Sequence, residues 1–216
     1  SRLLSELYVA AILICAILLA YLLLTRMGPV LLFHSVKSRL IALTAAEDEC
    51  AAIEPEGLAQ RIAEALKKDG FSVSQTSISQ NGRDALHVTA ASSKKFSLFF
   101  DRMYRYVIIT EALRKTRDFD TLGQYAQSLI DAEGLSDDAR ARSGFATVVV
   151  LMMTHVTEQV QAACREEAAV EGPAYLPVAC DMTAGKAYYL AAKAPGLLEF
   201  RCAQRMIKKY VVGKAR

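Results

Sequence analysis

The sequence predicts an α+β (or α/β) protein in which one N-terminal transmembrane helix precedes a single globular domain with a mixed β-sheet and packed helices. Three observations support this prediction. The chain of 216 residues opens with an uncharged apolar run of membrane-spanning length. Roughly 170 residues remain after the membrane-proximal part, enough for one domain with its own core. Within them, segments with strand-like alternation interleave with segments of helical periodicity.

The apolar run covers residues 7–24 and contains no charged side chain. As a helix, its residues would rise about 27 Å, close to the ~30 Å hydrocarbon core of a bilayer. Tyr8 and Tyr21 lie near its two ends, where aromatic side chains favour the membrane interface. Because no small-residue cleavage site follows, we expect residues 1–26 to form an uncleaved anchor.

Positive charge lies mainly on the C-terminal side of this run. Arg2 precedes it, whereas Arg26, Lys37 and Arg39 follow it. By the positive-inside rule, the globular domain is predicted to face the cytoplasm, or the matrix in a mitochondrion. The side chains expected at the membrane interface are Tyr8, Tyr21, Arg26, Lys37 and Arg39.

Residues 27–55 are predicted to connect the anchor to the domain. Apolar residues recur at helical spacing over residues 30–43, and basic residues lie elsewhere on the helical wheel. Such a helix suits the membrane interface, although packing on the core of the domain is an equal alternative. Residues 44–55 are acidic and predict a linker, so the domain is expected to cover residues 56–216.

The first half of the domain predicts a helix and an antiparallel sheet. Pro55 favours the first turn of a helix and Gly70 its end, with an apolar stripe between them. Residues 71–78 alternate as a half-buried strand, and Asn81-Gly82 predicts a tight hairpin leading into a second strand. Residues 96–110 predict one or two further strands.

The second half predicts two helices, a buried strand, a hairpin and a terminal helix. Asp120 is expected to cap a helix that ends near Gly134, and Thr157 to cap the next one. Between them, residues 146–156 are a β-branched apolar run typical of a central strand. A hairpin follows with its turn at residues 183–186, and Pro177 predicts an edge or bulge position in its first strand.

The terminal helix, residues 197–212, is amphipathic with a basic side. Cations near a helix C-terminus are favoured by the helix dipole, so packing on the sheet alone explains the pattern. The functional alternative is a basic face that binds anionic lipid or an acidic partner. Its binding residues would be Arg201, Arg205, Lys208 and Lys209.

The cysteines do not predict a disulfide framework or a zinc site. Their number is odd, and no two have a Cys-x-x-Cys spacing. We interpret them as small buried hydrophobic residues. They are Cys15, Cys50, Cys164, Cys180 and Cys202.

Catalytic motifs are incomplete in this sequence. No HExxH, GxSxG, GxGxxG or P-loop pattern occurs, so we expect no resident metal or cofactor. The order helix, hairpin, strand, helix is similar to the restriction-endonuclease-like fold, whose metal site needs an Asp and then an acid-x-Lys pair. Asp84 supplies the first acid and Lys94 a lysine, but the second acid is missing. The residues to test for catalysis are Asp84, His87 and Lys94.

The resulting functional hypothesis is a non-catalytic, single-pass membrane-anchored subunit or accessory and assembly factor. Its partners would be the lipid bilayer and a larger membrane protein complex, bound through the cytosol-facing domain. One alternative is a membrane-tethered metal-dependent enzyme of nuclease-like type. Another is a basic module for lipid or nucleic acid, although a net charge of +3 is small for a nucleic-acid-binding protein.

Overall fold

An apolar helix and an α+β domain make up the described structure, which is a computed structural model. In the described part of the chain, a mixed seven-stranded sheet is combined with helices, as the sequence predicts. The predicted juxtamembrane helix, residues 30–43, lies outside the described residues. The structure describes residues 5–23, 50–80, 84–97, 100–111, 118–168, 174–190 and 198–213.

The apolar helix α1 spans Ser5–Leu23 and has a mean hydropathy of 2.5 over its most apolar window. Its side chains are exposed along its whole length. By length and composition it is suited to cross a membrane, and an N-terminal signal sequence has the same properties. Membrane insertion and the orientation of the domain therefore remain predictions.

Seven strands form one sheet in the order β1-β7-β6-β5-β4-β3-β2. The β4–β5 and β5–β6 pairs are parallel, and the other neighbouring pairs are antiparallel. The strands are β1 (Cys50–Ala52), β2 (Ser72–Gln80), β3 (Asp84–Lys95), β4 (Met103–Glu111), β5 (Gly144–Met153), β6 (Ala174–Asp181) and β7 (Lys186–Tyr189).

Five further α-helices and one π-helical segment complete the described domain. Three of them, α3, α4 and α5, lie in the connections between the parallel strands. The helices are α2 (Leu58–Lys68), α3 (Asp118–Asp131), α4 (Asp137–Ala141), α5 (Glu158–Ala168) and α6 (Leu198–Met206), and α6 continues as a π-helix (Ile207–Val212).

The central strands β4 and β5 are buried on both faces, which explains their nearly continuous apolar sequence. On one face, Ile108 and Val149 pack with Leu122 of α3 and Cys164 of α5. Both helices belong to crossovers between parallel strands. The two crossovers advance in one direction across the sheet, from β4 to β5 and from β5 to β6. Right-handed crossovers of this kind place their helices on the same face of a sheet.

The opposite face is covered by α2, α6 and the π-helix. Leu58, Ile62 and Leu66 form the predicted apolar stripe of α2, and all three are almost completely buried. Phe200 and Ile207 from the C-terminal helices join the same core cluster. The largest of the three core clusters therefore lies between the sheet and these helices.

Two predicted boundaries at the start of the domain are wrong. Cys50–Ala52 forms β1, where an acidic linker was expected, because its backbone pairs antiparallel with β7. Ile53 follows it into the core with 8% of its surface exposed. The helix α2 begins at Leu58 after Gly57, whose φ is 62°, and not at Pro55.

Other local predictions are confirmed or shifted by a few residues. Thr157 caps α5, since its Oγ1 accepts a hydrogen bond from the Val160 N–H at 3.4 Å. Asp120 lies inside α3 and therefore does not cap it. Strands β2 and β3 form the predicted hairpin, but their register leaves residues 81–83 between them, one more than expected. That turn itself is outside the described residues.

Two strand predictions are also corrected. No strand covers Phe96, Ser97 or Phe100 among the described residues of the segment 96–100. Strand β6, which contains Pro177, lies inside the sheet and not at an edge. The short β7 pairs with β6 only from Val178 onwards, so Pro177 lies just beyond the covered part of its strand.

Candidate functional site

The three residues predicted for catalysis do not converge. All lie on β3, where His87 and Lys94 are seven residues apart, or about 23 Å at the rise of a β-strand. Asp84 is the first residue of this strand, about 33 Å from Lys94 by the same rise. His87 is exposed, and its Nδ1 lies 3.0 Å from the Ser77 hydroxyl. Within the described ranges, no three His, Cys, Asp or Glu side chains form a metal-binding group.

Lys94 instead belongs to a polar cluster beside α3. Its ammonium forms an ion pair with Glu133 and lies 5.3 Å from the centre of the Tyr104 ring. The Tyr106 hydroxyl donates a hydrogen bond to the Glu133 Oε1 at 3.2 Å. These contacts give Lys94 a structural role that does not involve His87 or Asp84.

The basic side of the terminal helix is exposed, and its apolar side is buried. Phe200, Ala203 and Met206 face the core in α6, as do Tyr210 and Val211 in the π-helix. The exposed cations, hereafter the basic face, are Arg201, Arg205, Lys208 and Lys209.

An open pocket of about 430 Å³ lies where the C-terminal helices cross the ends of β3 and β4. Apolar side chains, including Met103 and Met206, form part of its wall, and none of its described lining residues is a carboxylate. Only half of the basic face lines this pocket. Arg205 and Lys209 belong to the lining, whereas Arg201 and Lys208 lie outside it. Its four cations are Lys95, Arg105, Arg205 and Lys209.

Arg105 and Lys95 are the two cations of this pocket that the sequence analysis did not assign to a site, and Arg105 is the buried one. It sits on the interior strand β4 with only 9% of its surface exposed, and its guanidinium lies 4.6 Å from the centre of the Phe71 ring. Its Nε has no hydrogen-bond partner among the described residues. Ser93 is its cross-strand neighbour, and the buried Oγ of Ser93 also has no partner there. A lone arginine within an apolar strand was the available sequence signal.

Lys209 is partly neutralised by a carboxylate beside the pocket. The Asp69 Oδ2 accepts a 2.6 Å hydrogen bond from the Tyr210 hydroxyl and forms an ion pair with the Lys209 ammonium. The hydrogen bonds from Lys209 and Tyr210 lower the pKa of Asp69 below its ordinary value of 3.8. Burial, followed by the bond to Asp69, raises the pKa of Tyr210. The Tyr210 ring also packs edge-on against Phe71, at 5.8 Å between ring centres.

We predict that Asp69→Asn destabilises the domain more near neutral pH than in acid. A carboxyl whose pKa is lowered by folding stabilises the protein above its unfolded pKa, and this stabilisation is lost as the pH falls through the folded value. For Asp69 that loss occurs below pH 3.8. Urea unfolding of both proteins at neutral pH and at about pH 3 measures the difference. An equal difference at both values would contradict this role of the charge.

Cys202, which lines the pocket, is not activated as a nucleophile. Burial raises the pKa of the Cys202 thiol, although Arg105, Arg205 and Lys95 lower it in part. The thiol form therefore dominates at neutral pH, and a thiol is a poor nucleophile compared with a thiolate. In the core, Cys180 has a pKa raised to about 12 by burial and by Cys164. Cys164 and Cys180 are buried as expected, whereas Cys202 is only partly buried and Cys15 is exposed on α1.

Asp181 is a buried aspartate that the sequence analysis did not single out. Its hydrogen bonds connect the β6–β7 turn to the segment that follows β5. The Asp181 Oδ1 accepts hydrogen bonds from the N–H groups of Thr183 (3.0 Å) and Ala184 (2.7 Å). Its Oδ2 accepts one from Val156, at 3.0 Å, just after β5. Burial alone raises the pKa of Asp181, but these three bonds together lower it below the ordinary value. This carboxylate is a structural element of the β6–β7 turn.

The fold and site thus define an α+β domain with an apolar N-terminal helix, an exposed basic face and a cationic pocket. No family model matches the chain, and comparisons with curated proteins and with solved structures also find no match.

Proposed function

We propose that this protein is a non-catalytic, single-pass membrane-anchored subunit or accessory factor that docks on an acidic surface of a larger membrane protein complex. The observation that carries the proposal is the basic face, four exposed cations on a helix whose other side is held in the core. A rigid helix presents its charges in a fixed arrangement. Charge complementarity of this kind steers association and selects the partner.

The apolar helix α1 supports the anchored part of the proposal. Its 19 residues carry exposed apolar side chains that a bilayer would cover. The excess of basic residues after this helix favours a cytoplasmic, or matrix, location for the domain. In that arrangement the basic face is tethered close to the membrane in which its partner lies.

We favour binding over catalysis because the candidate catalytic side chains lie far from one another. The candidate residues Asp84, His87 and Lys94 are spread along one strand, and Lys94 is paired with Glu133. Catalysis needs convergent groups within hydrogen-bonding reach of a common substrate atom. A metal-dependent nuclease-like activity therefore has less support than docking.

The proposal predicts that Arg201→Gln with Lys208→Gln weakens the complex about tenfold, since two interfacial charges contribute about 1–2 kcal/mol together. These two cations do not line the pocket, so the pocket stays intact. The matched control is Lys67→Gln with Lys68→Gln, an equal change of charge at exposed positions at the end of α2. The measurement is the native mass of full-length protein extracted in mild detergent from its own membrane.

Equal loss of the complex in both double variants would show a general charge effect, and no loss in either would exclude the basic face as the docking surface.

A second candidate function is binding of anionic lipid, which the same exposed cations favour in a protein beside a membrane. Each basic residue near the surface contributes about 1 kcal/mol to such binding. Co-sedimentation with anionic vesicles separates it, because it would fall in the Arg201/Lys208 variant while the native mass stayed unchanged.

A further inference from the structure

We propose that the pocket beside the terminal helix is a binding site for a phosphate group, with Arg105 as its central ligand. This inference is independent of docking through Arg201 and Lys208. It concerns a concave site that is lined from three parts of the chain: the end of β3, the start of β4 and the C-terminal helices.

The charge of the pocket indicates an anionic ligand. Lys95, Arg105, Arg205 and Lys209 line it, and no carboxylate among the described residues does. From outside the lining, Asp69 offsets Lys209 through an ion pair and Lys95 more weakly through its field, so the charge that remains for a ligand lies mainly on Arg105 and Arg205. Neighbouring like charges repel one another, and the repulsion is strongest where water is partly excluded. A bound anion relieves that repulsion.

The burial of Arg105 is the second, independent observation. A guanidinium with 9% exposure has lost most of its hydration, and its Nε has no hydrogen-bond partner among the described residues. A buried cation without a counter-ion is costly, so such groups are normally paired. Phe71 covers one face of the guanidinium without offering an acceptor oxygen. The open side of the pocket is the remaining place for an acceptor.

The number and arrangement of the donors favour phosphate over a single carboxylate. Arginine donates in a planar fork that matches two oxygens of a phosphate group, and lysine adds a point charge to a third. Arg105, Arg205 and Lys95 come from different elements, so they can approach a tetrahedral dianion from different directions. The wall formed by Met103, Met206 and Leu198 suits the carbon part of a phosphomonoester.

Two sources supply this chemistry, a soluble phosphomonoester and the headgroup of an anionic membrane lipid. The test uses the full-length protein in detergent with three probes: inorganic phosphate, glycerol 3-phosphate and phosphatidic acid in mixed micelles. Isothermal titration calorimetry gives the dissociation constants. Tighter binding of glycerol 3-phosphate identifies a soluble ligand, tighter binding of phosphatidic acid identifies a lipid, and either result supports the site.

We expect Arg105→Gln to weaken binding of the best probe at least tenfold, since a charge-assisted bidentate contact is lost. Lys67→Gln, an equal loss of charge at an exposed position of α2 outside both the pocket and the basic face, should bind like the wild type. If Arg105→Gln fails to fold, Arg205→Gln replaces it, because Arg205 is exposed and its loss leaves the core unchanged. Its expected weakening is about three- to tenfold.

Three results would overturn the proposal. The first is that none of the three probes binds. The second is that acetate, a carboxylate control, binds as tightly as the phosphate probes. The third is that folded Arg105→Gln and Arg205→Gln proteins both bind like the wild type. None of these outcomes depends on whether a partner complex forms, so the site and the docking surface are tested separately.

Discussion

Asp181→Ala is expected to destabilise the domain by about 3–5 kcal/mol, a large part of the ~5–15 kcal/mol typical of a globular domain. The carboxylate is 6% exposed and accepts three backbone hydrogen bonds. Without it, the N–H groups of Val156 and Ala184 lose their acceptor, and that of Thr183 keeps only a 3.3 Å bond to the Thr154 carbonyl. Because Asp181 joins the end of β5 to the β6–β7 turn, the loss affects two strand connections at once.

Urea unfolding of the full-length protein, followed by circular dichroism, measures this effect. Asp181→Asn is the matched control, because its amide oxygen keeps part of the acceptor capacity while the charge is lost. We expect its free energy of unfolding to lie between those of the wild type and the alanine variant. A midpoint for Asp181→Ala equal to that of the wild type would show that the three hydrogen bonds contribute nothing to stability.

Leu13→Arg with Leu18→Arg is expected to move the protein from the membrane to the soluble or aggregated fraction. Both residues lie near the middle of α1 and are exposed there. An arginine near the centre of a spanning helix costs about 2.5–3.5 kcal/mol of insertion free energy, so two cost roughly 5–7 kcal/mol. Together they offset much of the gain from burying the apolar side chains.

Alkaline carbonate extraction of the membranes measures this prediction. The control is Leu13→Phe with Leu18→Phe, which keeps the helix apolar and should stay in the membrane pellet. The arginine variant should be released, and folded protein in the soluble fraction would still carry an intact pocket. Retention of the arginine variant with membranes that float in a density gradient, which leaves aggregates at the bottom, would contradict a spanning role for α1.

Much of the domain could be predicted because its signals are local. The apolar stripe of α2 and the β-branched run of β5 each follow from a few neighbouring residues, and both are buried as expected. In contrast, β1 has only three residues and depends on β7, more than 130 residues later along the chain. Strand pairing over such a distance is a tertiary contact that local sequence does not indicate. The acidic residues around β1 favour a linker instead. The position of Pro177 likewise depends on how short β7 is.

The candidate site was only partly predictable. The basic face follows from helical periodicity, and its cations are exposed as that periodicity indicates. The pocket depends on how the terminal helices cross β3 and β4, which brings Lys95 and Arg105 beside Arg205. No spacing in the sequence relates residues about 100 positions apart. A single arginine inside the apolar strand β4 marks Arg105 as unusual, but it does not indicate which residues lie beside Arg105 in the folded domain.

Docking of the anchored domain on a membrane complex is measured by the native mass of the wild-type protein, extracted in mild detergent from its own membrane. We expect a mass far above one chain plus its micelle, with a second membrane protein in the same particle, and a lower mass for the Arg201/Lys208 double variant. A single chain in its micelle, unchanged by that variant, would exclude docking.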